Sequence, residues 1–94
     1  MAKYEMLYSL NNDATDEAKA AEIEKYETIV KSMNGSVEST DKWGTKKLAY
    51  PIKFKNEAYY VLMKFEADGK VVNELDRVAG IDGEVLRRMI TKLN

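Results

Sequence analysis

The sequence predicts a single α+β domain whose elements follow the order strand, helix, strand, strand, helix, strand. Its 94 residues, of which 45% are apolar, suffice for one modest core and leave no room for a second domain. Strand patterns occupy four segments, and apolar residues recur at helical spacing in two others. The stretch from Lys42 to Glu66 is typical of one long β-hairpin, and the other elements are expected to cover it.

The first two elements are a strand and a helix. Residues 3–10 alternate between two sets of side chains, as in a half-buried strand. From Thr15 the period becomes helical, and Thr15 or Asp13 is expected to cap the helix. Asn34-Gly35 then supplies the left-handed backbone that ends it. The apolar stripe of this helix is expected to comprise Ala18, Ala21 or Glu22, Tyr26, Ile29, Val30 and Met33.

The next two elements are the arms of the hairpin. The first arm runs from Val37 to about Ile52, with a bulge or bend at Gly44. Because proline lacks the amide hydrogen that a ladder needs, Pro51 predicts that this arm is an edge strand. A polar turn is expected at residues 55–57. The second arm has continuous apolar character, which favours an interior strand.

A second helix and a last strand complete the chain. Apolar residues recur at helical spacing over residues 71–79, and Gly80 is expected to stop the helix. The last strand is predicted from Val85 to Leu93, with Leu86 and Ile90 on one side.

This order is the split βαβ pattern of the ferredoxin-like fold, βαββαβ. It predicts a four-stranded antiparallel sheet of order 4-1-3-2 with two helices on one face, and it places Pro51 on an edge. The side chains expected to face the helices are Met6, Tyr8, Leu10, Val61, Met63, Phe65 and Ile90. The opposite face is expected to display Leu7, Tyr60, Leu62, Lys64, Arg87 and Met89.

Composition excludes several classes of function. The sequence has no cysteine and no histidine, which removes thiolate zinc sites and the commonest general base, and its glutamates show no evident pocket. No apolar run approaches the roughly 20 residues of a membrane span. We therefore expect a soluble cytoplasmic protein, monomeric when free, that is not an enzyme and holds no metal or cofactor. The net charge is −1, with acidic residues gathered between Asp13 and Glu27 and lysines between Asp41 and Lys55.

The mixed apolar and basic sheet face has two interpretations. Scattered apolar residues on a free face are ordinary, but a set of this size also suits contact with a protein or a nucleic acid. Tyr60 lacks the basic residue and glycine that precede the stacking aromatics of RNA-recognition domains. Lys46 and Lys47 on the edge strand either block unwanted strand pairing or lie beside a chosen partner.

The segment from Trp43 to Ile52, WGTKKLAYPI, closely resembles the signature of the bacterial small-subunit ribosomal protein S-six family. The similarity extends to Tyr4-Glu5, to residues 58–63, and to Arg87 with Met89. The resemblance implies a non-catalytic, ribosome-associated protein that binds the central domain of small-subunit ribosomal RNA together with ribosomal protein S-eighteen.

Residue roles follow from the same resemblance. The positions that it implies for RNA contact are Lys3, Arg87, Arg88 and Lys92. The positions that it implies for the partner protein are Lys46, Lys47, Leu48, Tyr50, Tyr60 and Leu62. The alternative is a small-molecule-binding regulatory domain of the same topology. Such domains usually need a glycine-rich turn after the first strand, where this chain has Asn11-Asn12-Asp13.

Overall fold

A computed structural model describes the backbone of residues 1–52 and 55–93 and the side chains of residues 1–47 and 56–93. Its elements are β1 (Ala2–Asn11), α1 (Asp16–Ser32), β2 (Ser36–Ile52), β3 (Lys55–Ala67), α2 (Gly69–Ile81) and β4 (Val85–Lys92). The strands form one antiparallel sheet in the order β2-β3-β1-β4. The predicted α+β fold and the strand order 4-1-3-2 are therefore confirmed.

The core lies between one face of the sheet and the two helices. β1 and β3 contribute alternate residues that the helices cover completely, and ring contacts reinforce the layer. The Tyr8 and Tyr26 ring centroids are 5.3 Å apart, and those of Tyr4 and Phe65 are 5.7 Å apart. The fully covered strand residues of this layer are Met6, Tyr8, Leu10, Val61, Met63 and Phe65. Their helical partners are Ile23, Tyr26, Val30, Val71, Leu75 and Ala79.

The two ends of α1 lie where the sequence predicts them, but part of the predicted apolar stripe is wrong. Thr15 caps the helix, since its hydroxyl accepts from the Ala18 backbone N–H at 3.0 Å. Asn34 takes the left-handed conformation, with φ of 66°. Ala18 and Ala21 are exposed, whereas Ile23 is buried. Each alanine lies five residues before a buried residue, which is about 140° around a helix of 3.6 residues per turn.

The sequence predicts that α2 stops at Gly80, but the helix continues through this residue to Ile81. A Cβ on Gly80 would lie 3.1 Å from Nη2 of Arg88, the far end of a flexible side chain. Arg88 in turn donates from Nε to Asp76 Oδ1 at 2.8 Å. The helix thus ends one residue beyond the predicted stop, a difference typical of helix ends.

The hairpin has the predicted edge and interior arms. β2 is an edge strand and contains Pro51, while β3 lies between β2 and β1. Gly44 has φ of 84°, and the register shifts between Lys42 and Gly44, which confirms the bulge.

The predicted turn at residues 55–57 is wrong. β3 already begins at Lys55, which pairs with Ile52, and Glu57 pairs with Lys47. Asn56 and Glu57 are exposed. Polar side chains are compatible with a strand at this end of the hairpin because no helix covers them there, so the polar composition does not indicate a turn.

We expect Gly35→Ala to lower the free energy of unfolding by about 1–3 kcal/mol. A Cβ at this position would lie 2.7 Å from Val30 Cγ1, 2.9 Å from the Val30 carbonyl oxygen and 3.1 Å from that of Glu66. Urea denaturation measures the change. Gly69→Ala is the matched control, because a Cβ there meets nothing within 4 Å, and it should change stability by less than about 0.5 kcal/mol. Equal effects of the two substitutions would contradict the close packing at Gly35.

Neighbouring residues of β3 should differ in their contribution to stability. Met63 is 0% exposed, and Met63→Ala should cost about 2–5 kcal/mol because it leaves a cavity in the core. Leu62 points to the other face and is half-buried, so Leu62→Ala should cost at most about 1 kcal/mol. Urea denaturation of the two variants measures the loss of stability on each face of the sheet. A larger loss of stability for Leu62→Ala than for Met63→Ala would show that the two faces are misassigned.

Candidate interaction surface on the open sheet face

The helices cover one face of the sheet, and the other is here called the open face. Its centre combines apolar side chains with one arginine. The strand register arranges six residues of this face in two rows: Met89, Leu7 and Leu62 in one, and Arg87, Ser9 and Tyr60 in the other. Since neighbouring strands lie about 4.8 Å apart, each row spans roughly 10 Å across three strands. The predicted clustering of these side chains is therefore present.

A shallow depression of about 340 Å³ lies among these rows. It is lined by Leu7, Ser9, Tyr60, Arg87 and Met89, with Tyr8 and Arg88 beside them. Met89 remains 60% exposed, although methionine is a large apolar side chain. The lining residues of the depression thus include apolar side chains and two arginines.

Ser9 lies at the centre of the second row and has no solvent exposure. Its hydroxyl finds no hydrogen-bond partner among the described residues. A buried hydroxyl without a partner is uncommon in native structures, but with no solvent exposure this group can reach a ligand only if its neighbours move. Sequence analysis missed Ser9, because a serine in an alternating strand gives no signal of its own.

Space is available beside Tyr60 on the β2 side. Gly44 lies opposite Tyr60 in the pairing of β2 with β3, and a Cβ built on Gly44 would meet nothing within 4 Å. Gly44 itself therefore presents no side chain opposite Tyr60, and Trp43 next to it in the bulge is 48% exposed. The glycine was predicted as a bulge, but its position opposite Tyr60 depends on the register and could not be predicted.

The residues predicted to contact RNA all lie in β1 and β4. Lys3 and Arg87 are on the open face, whereas Arg88 and Lys92 are on the side of the sheet that faces the helices. Arg88 is engaged with Asp76 of α2 through a 2.8 Å ion pair. The four residues are thus near one edge of the sheet but divided between its faces.

The residues predicted to contact a partner protein lie in β2 and β3, in the other half of the sheet. Lys46 and Lys47 are exposed on the edge strand, and Tyr60 and Leu62 are half-buried on the open face. The side chains of Leu48 and Tyr50 lie outside the described part of the structure. The strand order therefore separates the described members of the two predicted sets, with Ser9 between Arg87 and Tyr60.

The small-molecule interpretation predicts a ligand site in a crevice between helix and sheet or at a dimer interface. A hollow of about 180 Å³ lies between α1 and the sheet, beside Lys42. It is smaller than the roughly 300–1,000 Å³ of typical ligand pockets. The Lys19 ammonium also lies 4.9 Å from the centre of the Tyr59 ring at this place, so both groups already have a contact within the chain. The hollow does not favour the regulatory-domain alternative.

The described residues contain neither a metal-binding cluster nor a membrane-spanning helix. Over residues 1–52 and 55–93, no group of three or more acidic side chains is arranged to hold a metal ion. Neither helix is both long enough and apolar enough to span a bilayer.

Comparison with known proteins gives one consistent result. The family model described as Ribosomal protein S6 matches residues 3–92. Relatives named small ribosomal subunit protein bS6, from Clostridium botulinum and Clostridium novyi, are 42% and 43% identical over 90 residues, which is 96% of this chain and 96% and 95% of theirs. The crystal structure of 30S ribosomal protein S6 from Thermotoga maritima has the same fold, with a TM-score of 0.93 at 24% identity over 98% of this chain and 87% of that one. The chain thus belongs to the ribosomal protein S6 family, as its WGTKKLAYPI segment indicated.

Proposed function

We propose that this chain is a non-catalytic constituent of the small ribosomal subunit. In this role it binds the central domain of small-subunit ribosomal RNA together with ribosomal protein S-eighteen. The division of the sheet supports this proposal most. The residues predicted to contact RNA lie in β1 and β4, and the described residues predicted to contact the partner protein lie in β2 and β3. One small domain can then contact two ligands side by side.

The β1 and β4 half suits the phosphate backbone of RNA. Arg87 and Lys3 are exposed cations on the open face, and Arg88 and Lys92 extend the positive charge over the edge of β4. Arg88 can leave its pair with Asp76 at low cost, since exposed ion pairs contribute about 0–1 kcal/mol. With a net charge of −1, the chain can neutralise few phosphates without a basic partner.

The β2 and β3 half suits a protein partner. Tyr60 and Leu62 supply half-buried apolar surface, and Gly44 lies opposite Tyr60 on the edge strand. Lys46 and Lys47 discourage pairing of this edge with a second copy of the chain, which is consistent with a single selected partner. Aromatic residues at the centre of an interface often provide much of its binding energy.

The two ligands would meet near Ser9. Because this residue lies between Arg87 and Tyr60, an RNA strand over β4 and a protein over β3 would be separated by two strand spacings, roughly 10 Å. Each bound ligand would then provide part of the surface that the other ligand contacts. We therefore infer that the two bind cooperatively.

Titration of the isolated RNA site tests the proposal. We expect weak binding by this chain alone and, when ribosomal protein S-eighteen is present, an affinity higher by at least about fivefold, which is the low end of typical coupling. Fluorescence anisotropy of labelled RNA at physiological salt measures both affinities. Tight binding by this chain alone would contradict the division of charge between the two proteins. If the RNA remains unbound even when both proteins are present, the proposed function is contradicted.

A substitution on β4 tests the RNA surface separately. Arg87→Ala should weaken RNA binding by the two proteins together and reduce the salt dependence of log K by about 1, the effect of losing one phosphate contact. Arg77→Ala is a suitable control, since Arg77 is exposed on α2 and donates to Glu74 at 2.8 and 2.9 Å. If both substitutions change the salt slope equally, Arg87 does not contact a phosphate.

A further inference from the structure

A second cluster of polar side chains joins α1 to the turn between α2 and β4, on the helix side of the sheet. Asp82 Oδ2 accepts hydrogen bonds from the Tyr26 hydroxyl at 2.8 Å and from Lys25 Nζ at 3.1 Å. Asp82 Oδ1 accepts from the backbone N–H of Glu84 at 3.0 Å. Three donors therefore converge on this carboxyl group, which is the environment of an ionised carboxylate.

Glu22 lies three residues before Lys25 and four before Tyr26, on the face of α1 from which both of these side chains bond to Asp82. Its Oε2 is buried and has no hydrogen-bond donor among the described residues. A buried carboxylate oxygen without a donor is costly, whereas a protonated carboxyl can donate to a neighbouring carboxylate. A single proton held between Glu22 and Asp82 would thus give Glu22 the hydrogen bond that its buried carboxyl lacks.

The remaining groups around Glu22 favour retention of that proton. The other carboxyl group near it is Glu84 in the turn, and the cation that opposes these charges is Lys25. From β1, the buried Tyr8 hydroxyl adds no charge, because burial and then the charges of Glu27 and Glu22 raise its pKa. Tyr26 is neutral for similar reasons, with burial first and its bond to Asp82 next.

These surroundings shift the two carboxyl groups in opposite directions. Burial, followed by the hydrogen bond and the charge of Asp82, raises the pKa of Glu22 to about 7. Burial alone would raise the pKa of Asp82 as well, but the hydrogen bonds from Glu22, Glu84, Tyr26 and Lys25 outweigh it and hold the pKa well below its usual range. Below about pH 7 the pair therefore holds one proton.

The turn that Asp82 organises is also the start of β4. The Asp82 carbonyl accepts from the Val85 N–H at 3.1 Å, and the Glu84 carbonyl accepts from the Asn11 N–H at 2.9 Å. The latter bond connects the turn to the end of β1. Movement of Asp82 relative to α1 would consequently disturb the corner at which β4 joins the sheet.

We propose that the proton shared by Glu22 and Asp82 latches the α2–β4 turn onto α1, and that its loss above neutral pH loosens this corner of the domain. Two adjacent carboxylates would then repel each other in a partly buried site with one lysine nearby. This device is a property of the isolated domain and does not depend on the proposed ribosomal function.

The direction of the pH dependence follows from linkage. The pKa of Glu22 in the folded chain exceeds its ordinary value of 4.5, so the folded state binds more protons than the unfolded state between these values. Its contribution to stability is complete below about pH 4.5 and is lost as pH rises through about 7. Asp82 acts oppositely, since its contribution is lost only as the solution becomes strongly acidic.

Urea denaturation of the full chain between pH 5.5 and 8.5 tests the latch. We expect Glu22→Gln to match the parent at pH 5.5 and to have a higher urea midpoint at pH 8.5, because an amide donates to Asp82 at every pH. Glu24→Gln is the control, since it alters an exposed carboxylate of the same helix and should follow the parent curve. A Glu22→Gln profile parallel to the parent's would overturn the proposal.

Carboxyl ¹³C NMR of the unsubstituted chain provides a second readout that does not rely on folding of a variant. The Glu22 side-chain carboxyl should titrate near pH 7, and Asp82→Asn should shift that midpoint towards the ordinary value of 4.5. Protection of the Glu84 and Val85 amides from exchange should fall over the same pH range in the parent. A Glu22 midpoint near 4.5 in the parent, or one that Asp82→Asn leaves unchanged, would show that no proton is shared.

Discussion

The interior position of β3 is the constraint on which the rest of the molecule depends. β3 is hydrogen-bonded on both sides, to β2 and to β1, so its register fixes which residues of three strands lie on each face. Val61, Met63 and Phe65 then face the helices, and Tyr60 and Leu62 face away. A slip of one residue would put the apolar core in water and the candidate interaction surface under the helices.

This constraint explains why the fold could be predicted so fully. The apolar run of β3 marks an interior strand, and Pro51 independently marks its neighbour as an edge. The errors arose where local composition competed with tertiary packing. Gly80 has the local appearance of a helix stop, but α2 ends one residue later, at Ile81. Asn56 and Glu57 have the composition of a turn, but both are exposed, and a strand needs no apolar residues where its side chains are exposed.

The candidate surface was predictable in part for the same reason. Alternation in the sequence predicts Tyr60, Leu62, Arg87 and Met89 on one face, and the strand order brings them together. Ser9 gave no signal, because its burial results from neighbours in two other strands. The Glu22 and Asp82 pair was equally invisible, since it joins residues from distant parts of the sequence that only the packing of α1 against the α2–β4 turn brings into contact.

The strand order also has a consequence for the timing of folding during synthesis. β1 is made first, but its partners are β3 and β4, which are made much later. At roughly 5–20 residues per second, β1 remains unpaired for several seconds while the β2–β3 hairpin can already form locally. The row of Arg87, Ser9 and Tyr60 draws on three strands, the last of them β4. An interrupted chain that lacks β4 therefore cannot display this row, and such fragments are excluded from any assembly that depends on it.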